Sequence, residues 1–303
     1  MHLSHKWMMG AAIALTSVAA LTGCASHSTT PTSAQNAVAA GAANPTNNTV
    51  DNTTNNTANA VTATNTTTGN AIGSNSTVTQ TSNPAFPTIV NQSMIRFGHD
   101  VLDGAEAPTK LPTAATGAGK VFYTTSQSTQ PSAGEPAYSS MNAVTLKSSN
   151  QTLASWTNRH FTSSSQASQG FKILAGPTMS SSQNTPIVLT GNHAANEGHS
   201  GGSTSIQWTE GKWNIQVTNE NTLAAATPLA DDVAKFLDQN SMPVPHDDAT
   251  IHVTSSSDGS SVNVDVIWQE DDNLYQLTTT QASANPINTA LAMAISMEPY
   301  AGN

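Results

Sequence analysis

Val262-Asn263-Val264-Asp265-Val266-Ile267-Trp268 decides the fold class. Apolar and polar residues alternate along it with a period of two, the pattern of a strand that buries one face. Glu270-Asp271-Asp272-Asn273 reads as a turn, and Leu274-Tyr275-Gln276-Leu277 as the returning strand of an antiparallel hairpin. Asn285-Pro286 then supplies a cap and a first-turn proline. Ile287, Leu291, Ala294 and Ile295 fall on one face of a helix that stops before Ser296-Met297-Glu298-Pro299.

The same order of elements is expected upstream. Ser205-Ile206-Gln207-Trp208 and Trp213-Asn214-Ile215-Gln216-Val217 flank the turn Thr209-Glu210-Gly211-Lys212. Thr227-Pro228 is expected to cap and start a helix carrying Leu229, Val233, Phe236 and Leu237, ended by Ser241-Met242-Pro243. Trp208 and Trp268 stand 60 positions apart, and Pro228 and Pro286 stand 58 apart. Residues 203–243 and 262–299 therefore read as a duplicated ββα unit. Between them Thr250 to Ser255 alternates as a strand, and Asp258-Gly259 marks a turn. Hairpins followed by helices that cover an apolar sheet face make an α+β fold, an antiparallel sheet covered by helices. With Trp268, Tyr275 and the segment from Pro286 to Met297 as landmarks, the second unit resembles the C-terminal part of uncharacterised Gram-positive envelope domains. That resemblance implies an architecture and no activity.

Before these units the signals are shorter. Order begins near Phe86-Pro87, where Val90, Met94, Phe97 and Val101 share a helix face; Pro108, Pro112, Gly117 and Gly119 then give loop. Strands are expected at Val121-Phe122-Tyr123 and around 144–146, 153–156, 171–174 and 186–190. A single α+β domain over 85–303 accounts for all of them.

At the other end, Lys6 precedes an apolar run from Trp7 to Ala20, too short for a stable membrane span and typical of an export signal. Leu21-Thr22-Gly23-Cys24 follows, and this tetrapeptide resembles the lipobox of bacterial lipoproteins. The resemblance implies removal of the signal peptide 1–23, lipidation of Cys24, and a protein held by that lipid on the extracytoplasmic side of the cell membrane. Residues 24–84 are rich in Asn, Thr and Ala with no apolar period, and read as a disordered tether. At about 5–6 Å × √n its reach is on the order of 45 Å. Cys24 is the only cysteine, so no intramolecular disulfide, thiolate catalysis or cysteine zinc site is available.

The net charge of −10 lacks the basic face that nucleic-acid binding needs. Charged residues make up only 9 % of the chain, against about 25 % in an average soluble protein. Acid denatures chiefly by protonating paired carboxylates, so a chain this poor in charge is expected to suit an acidic medium.

Candidate sites are few. His193, Glu197 and His199 offer two imidazoles and a carboxylate to a divalent metal, although their Gly-rich surroundings also read as a plain connection. His246-Asp247-Asp248 and Glu270-Asp271-Asp272-Asn273 are oxygen clusters that read as solvated turns rather than calcium loops. Trp208, Trp213, Trp268 and Tyr275, with Trp156, either present a stacking surface to a ligand or fill the core. The chain has no Ser-x-x-Lys or phosphate-loop motif, and no cofactor signature. The expectation is a binding or interaction protein of the cell envelope, its partner an envelope glycan, an envelope protein or an amphiphile. The alternative is a wall or polymer hydrolase using carboxylates such as Asp265 or Glu270.

Overall fold

A computed structural model describes residues 83–97, 102, 104–114, 120–131, 134–177, 184–221 and 223–300. The signal segment, Cys24, the tether to residue 82 and Val101 lie outside the described residues.

Ten strands form one sheet. In chain order they are β2 (Val121–Ser128), β3 (Tyr138–Ser148), β4 (Gln151–Phe161), β5 (Thr185–Val188), β6 (Ala194–Ser200), β7 (Ser203–Glu210), β8 (Trp213–Asn219), β9 (Ala249–Ser255), β10 (Val262–Glu270) and β11 (Asn273–Thr279). Their spatial order is β2-β3-β4-β11-β10-β9-β8-β7-β6-β5. Every pair is antiparallel except β8–β9, which is parallel in the register Ile215↔Ile251. A separate two-stranded ribbon pairs β1 (Glu106–Pro108) with β12 (Met297–Pro299).

Alternation separates two unlike sheet faces. The apolar face runs through Val144, Trp156, Leu277, Val266, Ile251, Ile215 and Trp208, each the register partner of the next. Three helices, α1 (Thr88–Met94), α3 (Leu223–Gln239) and α4 (Pro286–Ile295), contribute Val90, Met94, Ala230, Val233, Ala290 and Leu291 to the same buried cluster. The opposite face carries α2 (Ser164–Ala175) over one end only, where Ala167 and Phe171 pack on Phe161, Ile267 and Leu274. Gly170 allows that approach, since a Cβ there would lie 2.7 Å from the Phe161 ring.

Several expectations are confirmed and several are corrected. The α+β class, both hairpins and the α4 cap hold, with Asn285 Oδ1 accepting from Asn288 N–H at 3.1 Å. Residues 171–174 are helix, not strand. Ser163 caps α2 through its side chain and Gly176 ends it, so the Ile-Leu run is the helix's last turn. The segment after His193 is a strand, β6, rather than a mobile connection, because its backbone pairs on both sides with β5 and β7. Helix α3 begins at Leu223 and holds Pro228 inside it. Proline has no N–H to donate there, but the loss falls near the helix start, where Thr227 Oγ1 donates to the Leu223 carbonyl at 3.0 Å. Helix α1 stops at Met94, and tighter bonds from Arg96 N–H to Ser93 and from Phe97 N–H to Met94 still turn Phe97 inward.

Asn91 ties the two ends of the domain together. Its Nδ2 donates to the carbonyls of Asn83 (2.8 Å) and Phe86 (3.0 Å), and its Oδ1 accepts from Asn83 N–H (3.0 Å) and Tyr300 Oη (2.8 Å). Truncation leaves buried partners unpaired at a cost of about 1–3 kcal/mol each. Asn91→Ala is therefore expected to destabilise the protein by about 2–4 kcal/mol in urea denaturation, and Tyr300→Phe by about 1 kcal/mol.

Candidate functional site

Two side-chain rows across the sheet carry the polar chemistry. The first lies on the face that α2 only partly covers. Following the register from one edge to the other, it is Thr124, Thr145, Ser155, Thr278, Asp265, His252, Gln216, Gln207, Asn196 and Pro186. Nine of these ten positions hold a hydrogen-bonding side chain. Asp265 Oδ1 accepts from Thr278 Oγ1 at 2.6 Å and Gln276 Nε2 at 3.3 Å, and Arg159 Nη1 donates to Gln276 Oε1 at 3.2 Å. Burial pushes the His252 imidazole down from its ordinary value while Asp265, across the strand pair, pulls it up. Burial likewise lowers Arg159, with Glu135 and Tyr138 acting against it. Gln216 Oε1 and Arg159 Nε are buried without a hydrogen-bond partner among the described residues.

The second row lies on the apolar face, near the β10–β11 turn: Asn142, Asn158, Tyr275, Trp268, Ala249, Trp213 and Glu210. Trp268 stacks on Tyr275 with ring centroids 5.2 Å apart, and Trp213 tilts toward Trp268 at 6.5 Å. Tyr275 Oη donates to the Gly104 carbonyl (2.7 Å), and Trp213 Nε1 to the Pro243 carbonyl (2.9 Å). Trp208, Trp213, Trp268 and Tyr275 each expose 5 % or less, so they are core in this structure and present no open stacking face.

Glu106, on the β1 segment beside this row, had no signal in the sequence. It stands alone between Ala105 and Ala107, and only long-range packing brings it near Tyr275 and Glu270. Burial first, and then the Glu270 carboxylate, push its carboxyl up to about 7. Burial also raises Glu270, against the opposing pull of His246. Glu270 shares its sheet face with Trp268, whereas Asp265 projects from the other face of β10 (the strand alternates). The two carboxylates offered for hydrolysis therefore do not face one site.

The 193–199 set divides into two. His193 sits between two carboxylates, Nε2 2.9 Å from Asp238 Oδ1 and Nδ1 3.2 Å from Glu210 Oε2. Gly191, with φ +80°, makes room for Asp238 at this point. Glu197 pairs instead with His199, Oε1 to Nε2 2.8 Å, and His199 Nδ1 meets Thr204 Oγ1 at 3.0 Å. Both nitrogens of each imidazole thus already have protein partners. The two acidic turns do meet: Asp271 N–H donates to Asp247 Oδ2 at 3.2 Å, and His246 Nδ1 lies 3.7 Å from Asp271 Oδ1. Among the described residues no three His, Cys, Asp or Glu side chains form a group able to hold a metal ion.

In comparisons with known proteins, no family, no curated protein and no solved structure matches this chain.

The raised Glu106 carboxyl has a stability consequence. The folded protein binds this proton up to about pH 7, and the unfolded chain only to about its ordinary 4.5. The contribution is complete below pH 4.5 and is lost as pH rises to 7, a difference of about 3 kcal/mol. Glu106→Gln is expected to match the parent at pH 4 and to exceed its unfolding free energy by about 2–3 kcal/mol at pH 8, measured in urea.

Proposed function

We propose that this is a binding protein of the bacterial cell envelope, lipid-anchored at Cys24 and held off the membrane by its tether, whose sheet face takes a neutral, hydroxyl-rich envelope glycan. The observation that carries this reading is the row of nine hydrogen-bonding side chains crossing the sheet from Thr124 to Asn196. Hydroxyls and amides spaced regularly by the strand register match the donors and acceptors of a polysaccharide. A partner chosen by hydrogen bonds rather than charge also suits a chain with so few ionic side chains.

The test is co-sedimentation of the protein with isolated, uncharged wall polysaccharide. Binding is expected to survive a rise from low to moderate salt, because a Debye length shorter than about 10 Å screens charges but leaves direct hydrogen bonds in place. The double variant Gln207→Ala/Gln216→Ala is expected to weaken binding about tenfold, equivalent to roughly 1.4 kcal/mol, with little change in thermal midpoint. Retention of full affinity by that variant rules out this face.

The same reading includes duplication of a ββα unit. What supports it is that Trp208 and Trp268 each stand two residues before the end of the first strand, with a helix after each hairpin. The helices differ in length, and Pro228 lies inside α3 while Pro286 opens α4, so the likeness rests on the hairpins.

A further inference from the structure

The sheet face with the hydrogen-bonding row also presents more fixed positive than negative charge. Its outward strand residues include Lys147, Arg159 and Asp265, two cations against one carboxylate in a chain of net charge −10. Arg159 stands four residues along β4 from Ser155 of the row, about 13 Å in an extended strand. Its register partners are Met141 on β3 and Leu274 on β11, at the border of the cluster that α2 covers. Thr157, two residues back on the same face, is the partner of Gln276.

The Arg159 guanidinium lacks a counter-ion. Nη1 donates to the neutral Gln276 Oε1 at 3.2 Å, and Gln276 Nε2 donates in turn to Asp265 Oδ1 at 3.3 Å. A neutral amide therefore stands between this cation and the carboxylate of the row. Every ion pair among the described residues is made by a histidine, none by Arg159. Glu135 acts on it through its field without forming an ion pair, and burial works against the charged form. A half-buried cation without a partner is costly. Nε and Nη2 take no partner among the described residues, which leaves unused the guanidinium edge that binds a carboxylate by two parallel hydrogen bonds. Nε lies beneath the surface, so Nη2 is the first donor that an incoming acceptor meets.

We propose that Arg159 anchors a carboxylate site on this face, where the single negative charge of an acidic sugar supplies the missing counter-charge. One uncompensated guanidinium calls for a monoanion; a phosphate dianion would leave negative charge in excess near Asp265 and Glu135. Thr157 offers a hydroxyl beside the site, and Gln276 links it to the row. The proposal rests on the glycan reading only for the sugar that bears the carboxylate, an acidic unit of an envelope polymer or a free sugar acid. The site itself is argued from Arg159.

Proton–nitrogen NMR of the full, unlipidated chain tests it with glucuronate and glucose, which differ by one carboxylate. Glucuronate is expected to shift the Arg159 Nε–H resonance saturably, less tightly as salt is raised, and glucose at the same concentration to leave it in place. Arg159→Gln is expected to bind glucuronate about tenfold more weakly, with Arg159→Lys, which keeps the charge without the planar fork, between the two. Equal shifts from glucose and glucuronate in the parent overturn the proposal, whatever the variants do. So does parent-like glucuronate binding by Arg159→Gln. If a polyuronate co-sediments with the parent more tightly than uncharged polysaccharide does, and Arg159→Gln abolishes the gain, the carboxylate belongs to a polymer. A gain confined to free glucuronate assigns it to a small sugar acid. Glucuronate binding without uncharged-polysaccharide binding sinks the glycan row alone, and the reverse sinks the carboxylate site alone.

Discussion

The parallel contact between β8 and β9 is the constraint on which the rest depends. The residues from Trp213 to Thr218 and their partners from Ala249 to Thr254 would serve equally in an antiparallel hairpin by propensity alone. The parallel direction is imposed by the crossover through α3, since parallel neighbours need a connection of a dozen residues or more. That crossover joins the β5–β8 meander to the remaining strands as one sheet. It also puts α3 on the face that Ile206, Ile215 and Val217 make apolar, beside α4, so both helices close a single core.

With the core gathered on one side, the other face is free to be polar. Antiparallel sheets often solvate one face, usually with Lys and Glu among the outward residues. Here the outward row is Thr, Ser, Gln and Asn with a single Asp265–His252 pair at its centre. Uncharged side chains forgo little, because exposed ion pairs contribute at most about 1 kcal/mol. They leave a surface whose hydrogen-bonding capacity does not titrate, apart from that pair.

Legibility in the sequence followed how local the determining physics was. The 262–268 alternation, the Asp258-Gly259 turn and the Asn285 cap are decided by neighbouring residues, and each stands as expected. Helix α2 was misread at 171–174 because Phe-Lys-Ile-Leu is short and apolar, a run in which periodicity does not separate strand from helix end. Strand β6 was hidden by its Gly, Asn and His residues, poor strand formers that are held by pairing on both edges. The parallel register had no sequence marker at all. Nor did Glu106, whose chemistry comes from burial beside Glu270, a residue 164 positions away. Aromatics marked for a ligand were legible as large apolar groups, but which side of the sheet they took depended on the helices that cover them.

The few carboxylates that the protein does perturb are arranged in opposite senses. Asp258 is fully exposed, and the hydroxyls of Ser256 and Ser260 with the Ser260 N–H hold it down at about 2. Its hydrogen bonds are intact above its ordinary 3.8 and fail only as pH falls toward 2. Glu106 is raised, so its neutral form is the one the fold prefers. Acidification down to about pH 4 therefore leaves the turn at 256–261 in place and improves the fit of the β1 segment. Alkalinity, rather than mild acid, works against the packing of the β1 segment.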